Sequence, residues 1–152
     1  MRESTAEDGP PERAFLDANV IRGQLTNDIL LSFAEQDLLN PRWSQTVLDE
    51  MRRNRPAGVI EQRIDRRIAA MNRYFPRAMT SGHDHLIPET QADAKDKHVL
   101  AAAVHSRCAV LVTDNVKDFV GKVGGGTDSP LGHWRPWAPS YDVSAWCWSA
   151  SD

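Results

Sequence analysis

The sequence predicts an α/β domain with a mainly parallel sheet, and three observations carry that expectation. Apolar runs short enough for strands alternate with longer stretches whose apolar residues recur at helical spacing. Two of the short runs stop directly on an aspartate, AFLD at 14–17 and AVLVTD at 109–114, where a parallel sheet meets its connecting loops. At 152 residues the chain fits one compact domain with enough material for a core.

Residues 1–13 are polar, charged and broken by Pro and Gly, and are expected to form a disordered lead-in. A strand over Ala14 to Leu16 follows and stops at Asp17. From about Ile21 to Gln36, the spacing of Ile21, Leu25, Ile29 and Phe33 predicts a helix with those four on its apolar face. LLNPRW reads as a short strand, and Ser44 as the N-cap of a helix whose inner face is Val47, Leu48 and Met51. Pro56 and Gly58 break the chain. The clearest periodic element runs from about Val59 to Phe75, with Ile60, Ile64, Ile68, Met71 and Phe75 on one stripe, Arg66 and Arg73 opposite, and Pro76 at its end. A helix from about Ala94 to Ser106 puts Val99, Leu100, Ala103 and Val104 on one face and feeds a strand over Ala109 to Thr113. Residues 120–152 are rich in Gly, Pro and Ser and carry four of the five tryptophans, without a sustained period. They are expected to form an irregular, atypical tail, with at most a strand within Tyr141 to Trp148.

Composition narrows the function. With 41% hydrophobic and 26% charged residues the chain reads as globular. No apolar run approaches the roughly 20 residues of a membrane span, and the first residues lack a signal peptide's apolar stretch, so a cytoplasmic location is expected. Cys108 and Cys147 form neither CxxC nor a zinc spacing, and read as packing residues. The net charge of −3 conceals an asymmetry: residues 44–79 hold eight arginines against four acids. A basic surface can therefore coexist with an acidic site.

The acids are the informative feature. Asp96 shares a helical stripe with Val99 and Leu100, while Asp17 and Asp114 close strands, so three carboxylates stand where charge is costly. Ligands of parallel sheets bind beyond the carboxyl ends of strands, and all three could converge there. Glu50 can join from the Ser44 helix, three residues after Val47, with Asp49 as its competitor. Carboxylates about 5 Å apart repel by roughly 3 kcal/mol per pair at an effective dielectric of 20, so such a cluster calls for cations. Oxygen-only ligands suit Mg²⁺ or Mn²⁺, which can activate water for phosphodiester hydrolysis. Each acid also has a structural reading: a strand-end Asp as a turn or cap residue, Asp96 as a first-turn acid favoured by the helix dipole. The arginines likewise fit an exposed, solvated face.

Other motifs carry less. HDH at 83–85 resembles a metal pair, but no third ligand lies at a recognisable spacing, and His98 and His105 read as partner or surface residues. GxGxxG, GxxxxGK[ST] and GxSxG are absent, and Gly124 to Gly126 lacks the flanking strand and helix of a phosphate cradle.

FLDANVI, PRWS..VLDE, KDKHVLAAAV and LVTDNVKDF resemble, in that order, the four acidic blocks of the PIN-domain family. The likeness is nearest to VapC-type toxins of type II toxin–antitoxin pairs, whose members carry D(R/K)HVLAAA and TDNxxDF. The resemblance spans roughly residues 14–119, expected to be a PIN-like nuclease domain. It implies a three-layer α/β/α fold with a mainly parallel central sheet, a Mg²⁺-dependent endoribonuclease, a cognate antitoxin and homodimerisation. Carried across block by block, Asp17 and Asp96 would be the principal metal ligands. Glu50 and Asp114 would complete the cluster, binding metal through water or orienting the attacking water, with Asp114 counted among the metal-site residues. Asn19 and Thr113 match the polar positions that hold Asp17 and Asp114 in place. Asp118 would be peripheral and Asp93 a helix cap. Arg52, Arg53 and Arg66 are expected to neutralise the RNA backbone. One departure is plain: the family usually continues after the KDF block into a final short strand and helix, whereas this chain enters its Gly- and Trp-rich tail. The expectation is a ribonuclease toxin, against a rival in which a PIN-like module binds antitoxin or RNA without cutting.

Overall fold

The structure is a computed structural model that describes residues 11–90, 96–113, 133–136 and 144–149. In chain order its elements are β1 (Arg13–Leu16), α1 (Ala18–Ile21), α2 (Gln24–Glu35), β2 (Asn40–Ser44), α3 (Gln45–Arg53), α4 (Glu61–Tyr74), β3 (Met79–Thr80), a 3₁₀ turn (Asp84–Glu89), α5 (Lys97–His105), β4 (Val110–Thr113), β5 (His133–Pro136) and β6 (Ser144–Ser149).

β1 occupies the middle of the sheet because successive residues face opposite sides and none of its last three can meet water. Ala14, Phe15 and Leu16 are all buried, which requires cover on both faces. Ala14 stands opposite Pro41 of β2 on one side and Val110 of β4 on the other, both parallel. β3 adds a further parallel strand beside β2, giving the order β3-β2-β1-β4-β6-β5. Four parallel strands flanked by helices are the PIN-like α/β/α arrangement that the resemblance implied.

The described residues beyond Phe119 form two strands. β6 runs antiparallel to β4, with Val110 opposite Cys147 and Thr113 opposite Ser144, and β5 pairs antiparallel with β6. The expected strand within Tyr141 to Trp148 corresponds to β6, whereas β5 had no sequence signal. Backbone pairing needs no hydrophobic period, so an atypical composition can still complete a sheet edge.

The helix expected over Ile21 to Gln36 is α2, which starts three residues later and leaves Ile21 to the preceding helix. α1 ends at Ile21, and Gly23 caps α2. Moving the start of α2 reorients the stripe: Leu25, Ile29 and Phe33 are exposed at 73%, 46% and 45%, while Asn27 and Ala34 are buried. Leu30 and Leu31 lean on the core between them, so the inward face is 27, 30, 31 and 34, another i, i+3, i+4, i+7 set. The α4 stripe holds at Ile64, Ile68 and Met71, but Ile60 lies outside the helix and is exposed.

Packing concentrates around Trp43, Phe15, Leu48, Met51 and Ile64, each at 0% exposure. Burial of side chains of this size contributes roughly 1.5–3 kcal/mol apiece. Trp43 also satisfies its polar atom: Nε1 donates to Asn72 Oδ1 at 2.9 Å, and its ring meets Phe75 edge-on at 6.3 Å. No helix among the described residues is long and apolar enough to cross a membrane.

Candidate active site

From β1 the chain builds β2 and β3 to one side and then returns to place β4 on the other. The strand order therefore reverses between β1 and β4, the kind of position where open parallel sheets bind ligands beyond their carboxyl ends. Asp17 sits at that point, directly after β1, and is 4% exposed. Its backbone N–H donates to Val112 O at 3.0 Å and so continues the β1–β4 ladder by one residue. Its carboxylate is held on two sides. Oδ1 accepts from the Ala18 N–H at 2.7 Å, and Oδ2 accepts from the Thr113 hydroxyl at 2.8 Å. Asp17 is thus the N-cap of α1 as well as a candidate ligand.

Asp96 arrives from the other direction. It opens α5, the helix that leads into β4, and is 8% exposed. Its side chain makes no capping bond to α5, so helix capping does not explain why the carboxylate is buried; its carbonyl accepts from Val99 and Leu100. Asp114 follows Thr113 and lies outside the described residues, as do Asp93 and Asp118.

Glu50 and Asp49 part company on α3. Ser44 caps this helix, its Oγ accepting from Val47 N at 3.2 Å, which fixes the rotation at which Val47, Leu48 and Met51 enter the core. Asp49 then faces Gln45 and Arg52 at 3.0 and 3.4 Å. Glu50 turns to α5, where its Oε1 lies 2.8 Å from His98 Nε2. An ionised Glu50 requires the Nε2–H tautomer, and Nδ1 of that ring is buried without a hydrogen-bond partner among the described residues. His98 is therefore the residue whose place the sequence did not reveal. Its only signal was a histidine in the first turn of a helix whose middle is Val, Leu and Ala.

The remaining candidates are dispersed. Asn19 is half-buried in α1, two residues from Asp17. Arg52 is bound by Asp65 at 2.7 Å as well as by Asp49, and the Asp65 carboxylate raises its already high proton affinity. Arg53 and Arg66 are exposed. The HDH segment sits at the 3₁₀ turn, with the His85 ring edge-on to His105 at 5.7 Å. Burial lowers the proton affinity of His83, reinforced by His105, His98 and His85 and opposed by Asp84.

Among the described residues no group of three or more His, Cys, Asp or Glu could hold a metal ion. Asp17 and Asp96 are nonetheless buried oxygen donors, the type a hard divalent cation takes, and their chemistry fits Mg²⁺ better than a nitrogen- or sulfur-seeking metal. A family model described as a PIN domain matches residues 13–117, more than half of the chain. No curated protein and no solved structure gives a significant match.

Proposed function

The chain belongs to the PIN-domain family, whose members are generally nucleases, and on that premise we propose that it is a Mg²⁺-dependent endoribonuclease, the toxin of a toxin–antitoxin pair. The observation that supports this most is Asp17: a buried carboxylate at the reversal point of the sheet, fixed by Thr113 from 96 positions away. Asp17 and Asp96 would hold the cation, with Asp114 completing the set. Mg²⁺, or Mn²⁺ in its place, would supply Lewis-acid activation of a water and charge neutralisation on a phosphodiester. Thr113 and the Ala18 N–H hold the Asp17 carboxylate in a fixed orientation. Glu50, held by His98, orients the attacking water from the α3 side. Arg53 and Arg66 offer exposed cations to the RNA backbone, and Arg52 can join only by loosening its bonds to Asp65 and Asp49. A cognate antitoxin would silence the protein, and a homodimer and a cytoplasmic location accompany that reading.

The test is incubation of the purified protein with structured RNA and Mg²⁺, beside the Asp17→Asn, Asp96→Asn double variant. Cleavage by the native chain alone is the expected result. Cleavage that survives in the variant removes these residues from the mechanism. Its absence from both, with RNA or antitoxin still bound, favours a non-catalytic binding module. For the toxin role, expression of the native chain is expected to arrest growth, and the double variant to relieve it.

A further inference from the structure

A concavity of about 400 Å³ lies at the end of the sheet opposite the acids. Asn40 and Arg42 line it from the start of β2, Asp37 from the end of α2, and Tyr74, Phe75 and Arg77 from the end of α4 and the chain that follows. Because β1 and β2 run from this groove towards the acids, the two sites are separated by roughly 15 Å of strand.

The charge in this groove is unusual. Arg42 is half-buried and fixed, its Nη1 donating to Asn40 Oδ1 and, at 2.9 Å, to Pro41 O. Both acceptors are neutral. Among the described residues no ion pair holds Arg42, Arg77 or Arg13, and Asp37 is the one carboxylate on the lining. Burial lowers the proton affinity of Arg42, and Arg13 and Arg77 lie close enough to lower it further. A partly desolvated guanidinium, fixed by neutral oxygens and set beside like charges, is relaxed by an anion. Tyr74 stands 70% exposed at the same groove, an aromatic face with nothing stacked on it among the described residues.

We propose that this groove binds a nucleotide, its phosphate at Arg42 and Arg77 and its base against Tyr74. Guanidinium groups match phosphate oxygens in bidentate fashion, and an exposed ring offers a sequence-tolerant stacking surface. An acidic peptide would use the arginines but not the ring. The nucleotide is either free or part of the RNA strand proposed above as substrate, and in the second case the inference rests on that reading.

The test uses the full chain carrying Asp17→Asn, titrated with a nucleoside monophosphate and with an RNA strand of roughly 20 nucleotides. Companion chains add Arg77→Ala, Tyr74→Ala or Arg42→Met. Arg77 and Tyr74 are exposed, so their replacement spares the core. Each is expected to weaken binding of the long strand about five- to tenfold, and each arginine replacement to make the salt dependence shallower by roughly 0.7 for every phosphate it no longer neutralises. Saturable binding of the monophosphate, abolished in the same variants, identifies a free nucleotide as the ligand. Binding of the long strand alone identifies RNA. Unchanged affinities in the Arg77 and Tyr74 variants overturn the proposal, as does tighter binding of an acidic peptide than of either nucleotide probe. Failure of the two readings is separable: weakened RNA binding in a chain whose native form does not cut RNA keeps the groove and removes the nuclease, and cutting with unaltered binding does the reverse.

Discussion

Replacing Thr113 with valine keeps the volume of a fully buried side chain and removes a single hydroxyl. That hydroxyl donates to Asp17 Oδ2 at 2.8 Å. A hydrogen bond to an ionised acceptor contributes about 1.5–3 kcal/mol, and the upper part of that range applies where the acceptor stays buried. Valine favours the strand it would occupy and offsets a few tenths of a kcal/mol, leaving a net loss of about 2 kcal/mol. In a chain of this length each kcal/mol moves the midpoint by roughly 2–4 °C, so Tm is expected to fall by about 5 °C. Urea denaturation at neutral pH without added divalent ions would measure the free energy. A double-mutant cycle with Asp17→Asn would then isolate the pair, with a coupling of at least about 1 kcal/mol expected. Coupling below about 0.5 kcal/mol would show that Thr113 does not hold Asp17, and the account of the site would fail with it. RNA cleavage is expected to fall about tenfold as well, because a carboxylate held from one side only is less well placed.

Four further outcomes are expected. Ser44→Ala removes the oxygen that accepts from Val47 N and should cost about 1 kcal/mol by chemical denaturation, from α3 alone. His98→Leu deprives Glu50 of its partner, and cleavage should drop about tenfold, with His98→Gln, which can still donate, recovering part of it in parallel assays. pH should act on stability in two windows. His83 protonates near 6.5 when unfolded but only at lower pH when folded, so its contribution is full above pH 6.5 and declines as pH falls through the folded value; His83→Gln should flatten that slope. Burial pushes the Cys108 thiol up from 9.0 to about 11, so its contribution is full below pH 9 and disappears as pH rises through about 11. Mass spectrometry of the Cys108 peptide after alkylation at pH 8 should find it unmodified in the native chain.

The sequence showed the elements whose periods were internally consistent. β1 announced itself because Ala14 to Leu16 stop at Asp17, and α3 because Ser44 precedes Val47, Leu48 and Met51; the structure places both there. α2 was misread because QLTNDILLSFAE contains two overlapping apolar stripes, Leu25/Ile29/Phe33 and Leu30/Leu31/Ala34. Spacing alone does not choose between them; packing does, since Leu30 and Leu31 are the ones set against the core. At the site, Asp17 and Asp96 were visible because burial of acids contradicts the hydrophobic pattern around them. Glu50 was not separable from Asp49, since the distinction lies in which one meets α5, an interaction 48 positions away. Arg52 looked like an available cation because its partner Asp65 stands 13 positions off, on the next helix. The groove at the far end of the sheet left no motif, being assembled from Arg42 and Arg77 across 35 positions.

β4 has neighbours on both sides, Leu16 opposite Val112 on one edge and Ala145 on the other. Main-chain bonds are indifferent to side-chain identity, so the distal segment can drift in composition while still sealing this strand. The same indifference carries a liability. An insertion or deletion that slips β6 by one position would reach the residue bracing Asp17 without changing any amino acid near it.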